Sequence, residues 1–488
     1  MSSLERFERV RPLEELEVAL LQAALDAPGA LGPGEEATLR WAFALAHLGT
    51  IGSGDQALPL EGEVAAFRNA LHEKLAPLVE KKDLQALAGL TPSLLDQVRA
   101  LRASILLRYG DRLNAQALDQ ELRQKKLVLA LGGGGGTGYV YLGVFALLEE
   151  LGITPAMISA TSMGAILELF RARRLSYDPG EILGAIRGLS WSRLFRFLST
   201  ESRYGLPAAL RLYLRGSLSR HVQHDDGTPY TLRDLPIPMI VTVSGIGRGK
   251  LPRPLAYYEK LVEPVGLALR PWAIRSKLEE VATASSELAS PSVLTGIHLG
   301  LEEWTRDFDV IDAVGFSSAV PGLIHYDVLR RDPRMHELLA RLFEERELFR
   351  LVDGGLTQNV PAEAAWRAIQ DGRLGTRNTV ILALDGFAPK LRTPLWLPLQ
   401  RIAAENVKRS SRFAHLSETF PKTPAPTELI PSVHTVVRAI QRGRERLQPL
   451  VPLLQRLLQP LPPVDSIQLP TGTSPSSSIF GDNRLGGR

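Results

Sequence analysis

Leu127-Val-Leu-Ala-Leu-Gly-Gly-Gly-Gly-Gly-Thr-Gly138 is followed, one short helical pattern later, by Ile158-Ser-Ala-Thr-Ser-Met-Gly-Ala165. In each stretch an apolar, strand-like run enters a tight turn of small residues, and a helix-like pattern follows. The first turn is rich in backbone N–H groups with almost no side chain to cover them. The second presents a serine, Ser162, between Ala160 and Gly164. A donor-rich loop beside a serine is what acyl transfer requires: a nucleophile, and fixed dipoles for the oxyanion. The pair points to a serine hydrolase.

Outward from this pair the alternation continues. The spacing predicts strands over 127–131, 156–160, 237–243, 348–352 and 379–384, with helices over 141–151 and from 165 to 173. That order implies an α/β fold whose mostly parallel sheet is covered on both faces. Residues 175–235 read as helical and aromatic, with Trp191, Phe195, Phe197, Tyr204 and Tyr213. They are expected to form one wall of the cleft.

A sharp strand-to-helix turn at Ser162 would lift its hydroxyl above the strand ends. The helix that follows would turn its positive end toward the developing oxyanion. A serine that merely caps a helix looks the same in sequence. Asp353 follows the strand-like run 348–352 and precedes Gly354-Gly355, which turn the chain. A carboxylate is thereby expected at a strand's carboxyl end, where open α/β sheets gather their sites. An Asx turn is the plainer reading of Asp-Gly.

Gly133-Gly-Gly-Gly-Thr-Gly138, Ala160-Thr-Ser-Met-Gly164 and Val352-Asp-Gly-Gly355 together resemble the signature blocks of the patatin-like phospholipases. A fourth stretch, Phe316-Ser-Ser-Ala-Val-Pro-Gly-Leu323, resembles the segment between nucleophile and acid. The blocks come in family order, and the resemblance covers roughly residues 125–390. It implies a three-layer α/β fold with a mostly parallel central sheet. It implies a Ser–Asp dyad without histidine, with Ser162 as nucleophile and Asp353 as the base. Backbone amides of Gly133, Gly134, Gly135 and Gly136 would form the oxyanion hole. Thr137, Gly138, Ala160, Gly164, Gly354 and Gly355 would support these motifs. The implied activity is cleavage of carboxylic esters of lipids or phospholipids, with no metal and no organic cofactor.

Two positions depart from the family pattern. Ala160 stands where glycine is usual, and Thr137 where arginine is usual. A short neutral hydroxyl cannot make the charge-assisted bonds of an arginine, and Gly136 is expected to loosen the loop further. A catalytically weakened or inactive membrane-associated lipid-binding or scaffold protein is therefore the alternative.

Two other chemistries match part of the pattern. Gly133-x-Gly135-x-x-Gly138 satisfies the dinucleotide fingerprint. That site needs an acid at the end of the second strand, and Ser162 stands there instead. A Ser–Asp–His triad needs a histidine after Asp353. Only His415 and His434 qualify, both in a helical region, while His325 follows the run 320–324.

The rest of the chain is bounded by composition. Its 488 residues are 44% hydrophobic and 23% charged, with a net charge of +4 and no cysteine. Disulfides and thiolate chemistry are excluded, and so small a net charge argues against a nucleic-acid partner. The first residues lack the layout of a signal peptide, and no apolar run reaches transmembrane length. A cytoplasmic protein, with or without peripheral membrane contact, is expected.

Residues 1–124 read as a helical accessory domain, with apolar spacing over 13–25, 36–48, 64–79 and 92–107. Residues 125–390 form the catalytic domain. Residues 391–460 read as basic and helical, with Leu447, Leu450, Leu453, Leu454, Leu457 and Leu458 beside four arginines. Gly443, Pro449 and Pro452 are expected to break that stretch. It would lie on an anionic membrane surface or pack on the protein with a solvated charged face. Residues 461–488 are expected to be a disordered tail.

Overall fold

The computed structural model describes residues 3–52, 56–197, 202–261, 283, 286–387 and 397–470. The chain forms two compact units. The first takes Met1–Leu127, Arg367–Val380 and Pro449–Arg488, and the second Val128–Trp366 and Ile381–Gln448, over their described residues.

The first unit is helical. Its helices are Ser3–Asp26, Pro33–His47, Glu61–Glu80, Leu84–Tyr109 and Ala115–Arg123. A two-residue ladder, β1 (Thr50–Ile51) against β2 (Leu58–Pro59), joins the second to the third. Asp83 and Asn114 cap their helices by accepting from the amides of Ala86 and Ala117. Pro12 and Pro92 lie inside helices, although the spacing placed a helix start just at or after each. Phe7 and Val10 before the first, and Leu84 and Leu87 before the second, are buried. Tertiary packing thus carries the helix through a residue that local propensity reads as a boundary.

The last helix, Val451–Leu458, belongs to this unit. In the helix Val451–Leu458, Leu453, Leu454 and Leu457 are buried. Arg456 makes a bidentate pair with Glu36, at 2.7 and 2.6 Å. Trp41 Nε1 donates to the Pro462 carbonyl at 2.9 Å. The leucine face is therefore not open to a membrane. Leu461, Val464 and Ile467 pack in the helical core that holds Leu20, Trp41 and Leu45, which corrects the expectation that the tail is disordered from residue 461. These side chains recover by burial the ordering entropy that a polar tail could not. Residues 471–488 lie outside the described residues.

The second unit is built on a seven-stranded sheet. Its strands are β3 (Lys126–Leu131), β4 (Met157–Thr161), β7 (Met239–Gly247), β8 (Leu294–Leu299), β10 (Leu348–Asp353), β11 (Thr379–Asp385) and β12 (Leu416–Thr419). The order is β10-β7-β4-β3-β11-β12, with β8 also on β7. A smaller sheet pairs β5 (Phe195–Phe197), β6 (Ala208–Leu212) and β9 (Gly322–His325). β4 and β11 are buried at every position. Burial on both faces explains the unbroken apolar run 380–384 of β11, while β4 also buries Ser159 and Thr161.

The pairing around β7 positions the site. β3, β4 and β7 run parallel, whereas β8 and β10 run antiparallel to β7. β8 covers residues 241–246 of β7. A strand has two edges, so β4 (against 239–242) and β10 (against 243–247) must share the other. Their carboxyl ends meet head-on there. Thr161 stands opposite Thr242, and Asp353 opposite the next residue, Val243.

Beyond β12, the helix Val433–Leu447 runs straight through Gly443. The expected break is absent because Gly443 is a contact point. A Cβ there would lie 1.9 Å from the Val140 carbonyl oxygen, and one on Gly143 would lie 2.0 Å from that of Ile440. Bare glycine on both sides lets this helix cross Tyr141–Glu150 at backbone distance. Pro449 falls in a 3-10 turn and Pro452 in the first turn of the next helix, positions that need no proline N–H.

Candidate active site

β4 ends at Thr161, the helix Met163–Ala172 begins at Met163, and Ser162 alone makes the turn. Its φ is +54° and its ψ −123°. Such a conformation is strained for a residue with a Cβ. It persists because the surroundings fix it. The Ser162 amide donates to Ser317 Oγ at 2.8 Å, and Ser317 Oγ donates to the Thr242 carbonyl at 2.6 Å. That carbonyl faces the gap where β4 has left β7. Thr161 Oγ1 donates to the Gln358 carbonyl at 2.9 Å, tying the end of β4 to the loop after Asp353. Gly164 must be glycine, since a Cβ would lie 2.7 Å from the Gly132 carbonyl oxygen. Ala160 is fully buried between Leu131 and Val241, and its methyl fits the paired strands.

Asp353 closes β10. Its amide donates to the Ala319 carbonyl at 2.8 Å, and its Oδ1 accepts from the Gly355 amide at 2.7 Å. Gly354 crosses so close to β7 that a Cβ would lie 2.1 Å from the Thr242 oxygen. The carboxyl is buried, and burial lifts its pKa to about 6. The Ser162 hydroxyl and the Gly355 amide pull the other way by stabilising the anion. The hydroxyl contact lies outside strict hydrogen-bond geometry, and Oδ2 has no bonded partner. A loose serine–base contact is ordinary in a ligand-free site. A buried carboxylate with an unused oxygen facing a serine is poised to accept a proton.

The glycine loop follows β3. Gly134 and Gly135 adopt φ of +124° and +58°. Four amides were expected to serve as donors, and the structure divides them. Gly133 donates to the Asn359 carbonyl at 3.3 Å, and Gly136 to the Pro426 carbonyl at 3.0 Å. Among the described residues the amides of Gly134 and Gly135 have no partner, and both residues line the cavity above Ser162. Thr137 is buried, and its hydroxyl donates to the Gly134 carbonyl at 2.9 Å. It braces the loop locally. Gly136 is held rather than loose. Gly138 gives Met163 room, as a Cβ would lie 2.9 Å from Met163 Cγ.

The cavity has a volume of about 260 Å3. Its lining includes Ser162, Asp353, Gly134 and Gly135 together with Ile166, Phe170, Ile186 and Leu212. Trp191 and Phe195 contribute to the expected wall, with ring centroids 4.6 Å apart. Tyr204 turns elsewhere, to His336, and the side chain of Phe197 lies outside the described residues. Among the described residues no histidine lines the cavity. His325 is buried with Nδ1 3.0 Å from the Leu206 carbonyl oxygen, and His415 Nδ1 accepts from the Ile381 amide. No cluster of three or more acidic or histidine side chains among the described residues is placed to hold a metal. No described helix is long and apolar enough to cross a membrane.

Sequence reasoning missed three contributors. Ser317 lay inside the quoted block 316–323, but its bond to Ser162 spans 155 positions. Asn359, buried beside Gly133 with an unpartnered Nδ2, had no local signal. Pro426 and its neighbours come from a segment with no recognisable pattern. Residues 129–366 match the family model described as patatin-like phospholipase. Among curated proteins none matches the chain.

Proposed function

We propose, from the premise that residues 129–366 are a patatin-like phospholipase domain, that this protein hydrolyses carboxylic esters of lipids through Ser162 and Asp353. The observation that carries the reading is the meeting of a strained serine and a buried carboxyl, at the touching ends of β4 and β10, on the floor of an apolar cavity. An acyl chain lies along the apolar walls, which leaves the ester carbonyl over Ser162. Asp353 takes the hydroxyl proton as Oγ attacks. The oxyanion is held by the Gly134 and Gly135 amides, joined by the Met163 amide at the helix start. The intermediate expels the alcohol or lysolipid, to which Asp353 returns the proton. Water then attacks the acyl-enzyme with Asp353 again as base, releasing fatty acid and restoring Ser162.

A pKa near 6 suits this task better than an ordinary carboxylate, because a base works best when its pKa approaches the working pH. The groups named all lie in the second unit, and the helical first unit acts as an accessory domain. The test is hydrolysis of p-nitrophenyl acyl esters and phosphatidylcholine vesicles by wild type, Ser162→Ala and Asp353→Asn. Loss of about 10³-fold or more in both variants is expected. A folded Ser162→Ala protein with undiminished turnover would sink the reading.

A further inference from the structure

Four prolines, at 421, 424, 426 and 431, punctuate the segment between β12 and the helix Val433–Leu447. Each fixes its φ and lacks an N–H. The segment cannot extend a ladder, so its carbonyls need donors from elsewhere. Both ends are anchored. Phe420 donates its amide to the Asp385 carbonyl at 2.9 Å, at the end of β11. Ser432 caps the following helix by accepting from Thr435.

Between the anchors the segment lies on the glycine loop. The Pro426 carbonyl accepts from the Gly136 amide at 3.0 Å, and the Leu429 carbonyl from the Tyr139 hydroxyl at 2.9 Å. A Cβ on Gly135 would lie 2.2 Å from the Pro426 oxygen. One on Gly136 would lie 2.3 Å from the Ala425 oxygen and 2.6 Å from that of Glu428. Gly136 does not adopt a positive φ, so backbone conformation does not require glycine there. This contact does. Pro426, Thr427 and Leu429 also line the cavity that holds Ser162. All of them lie beyond the residues that match the family.

We propose that residues 424–431 are a positioning strap and a chain-length wall for the site. The carbonyls hold the glycine loop with the Gly134 and Gly135 amides turned to the cavity. Thr427 and Leu429 set the length of acyl chain that is accepted. The assignment rests on the acyl-ester reading above. Its ligand is an extended hydrocarbon chain ending in an ester or carboxylate.

The experiment compares wild type, Leu429→Ala, Leu429→Trp and Tyr139→Phe on p-nitrophenyl butyrate and palmitate, with thermal melts to establish folding. Leu429→Ala is expected to raise the palmitate-to-butyrate ratio of kcat/KM about tenfold, and Leu429→Trp to lower it by a similar factor. Tyr139→Phe frees one anchor of the strap and should lower kcat about tenfold with KM nearly unchanged, because donors of the oxyanion act mainly in the transition state. Folded variants whose ratio and kcat all stay within about twofold of wild type overturn the strap. A second arm reads the cavity without turnover. In a Ser162→Ala background, stabilisation by fatty acids of increasing length should shift toward longer chains with Leu429→Ala and toward shorter ones with Leu429→Trp. An unshifted order contradicts the proposal. If wild type cleaves no ester at all, the acyl-hydrolase reading fails, and this arm still decides the strap.

Discussion

The backbone amide of Ser162 donates to the hydroxyl of Ser317 at 2.8 Å, and that hydroxyl reaches on to the Thr242 carbonyl at 2.6 Å. The strained turn at Ser162 is thus tied to the strand that its own strand has just left. The bond uses the Ser162 amide, so that group is not free to serve as an oxyanion donor.

Ser317→Ala removes this tether and leaves a buried amide without a partner. An unsatisfied buried donor costs about 1–3 kcal/mol, which thermal or urea unfolding will measure. Because Ser162 also loses its fixed position, kcat should fall about 10- to 100-fold. KM for short esters should change little, since the cavity walls are untouched. Ser317→Thr keeps the hydroxyl and should recover part of the rate.

The raised pKa of Asp353 sets a pH profile. As the proposed base, Asp353 must be ionised to take the Ser162 proton, so kcat/KM should rise with pH through an inflection near 6 and level above it. A plain solvated carboxylate would place the inflection near 4. Rates measured from about pH 4 to 9 on a short soluble ester distinguish the two.

The same burial carries a stability cost that can be read independently. The folded pKa, about 6, lies above the ordinary value of 3.8. The folded state therefore binds the proton more tightly than the unfolded one. Stability from this group is full below the unfolded value and is lost as pH rises through the folded one. Asp353→Asn abolishes the titration. Relative to wild type it should gain up to about 3 kcal/mol between acid and alkaline pH. Denaturant midpoints at about pH 4 and pH 8 test the sign.

Gly443 gives a structural prediction away from the chemistry. A methyl there would lie 1.9 Å from the Val140 oxygen, and the obstacle is backbone on both helices. Gly443→Ala should destabilise by about 1–3 kcal/mol or more despite alanine's better helix propensity. A thermal melt of the purified variant checks it. A rise in midpoint would mean that the two helices do not cross at this pair.

These residues also mark what the sequence made legible. Strands β3 and β11 were readable because burial on both faces leaves continuous apolar runs, and the turn at Ser162 because it demands small neighbours. Asp353 was readable from the glycines that turn the chain after it. The antiparallel course of β10 was not. The local pattern of a strand does not record which neighbour it pairs with, and the head-on meeting with β4 follows from pairing alone. Gly443 was misread because a glycine that breaks a helix and one that admits a second helix look alike in one dimension. The strap was invisible for the same reason: the Tyr139–Leu429 bond spans 290 positions. Even the run of glycines at 132–136 is only partly explained by donor geometry, since Gly136 makes room for the Ala425 and Glu428 carbonyls.

The most direct test of the central claim is covalent. Purified protein is treated with an alkyl fluorophosphonate, digested, and the adduct located by mass spectrometry, with Asp353→Asn alongside. The account predicts a single adduct on Ser162 that forms far more slowly when Asp353 is lost. A folded wild-type protein that remains unlabelled with lipid vesicles present, or an adduct on another serine, contradicts it.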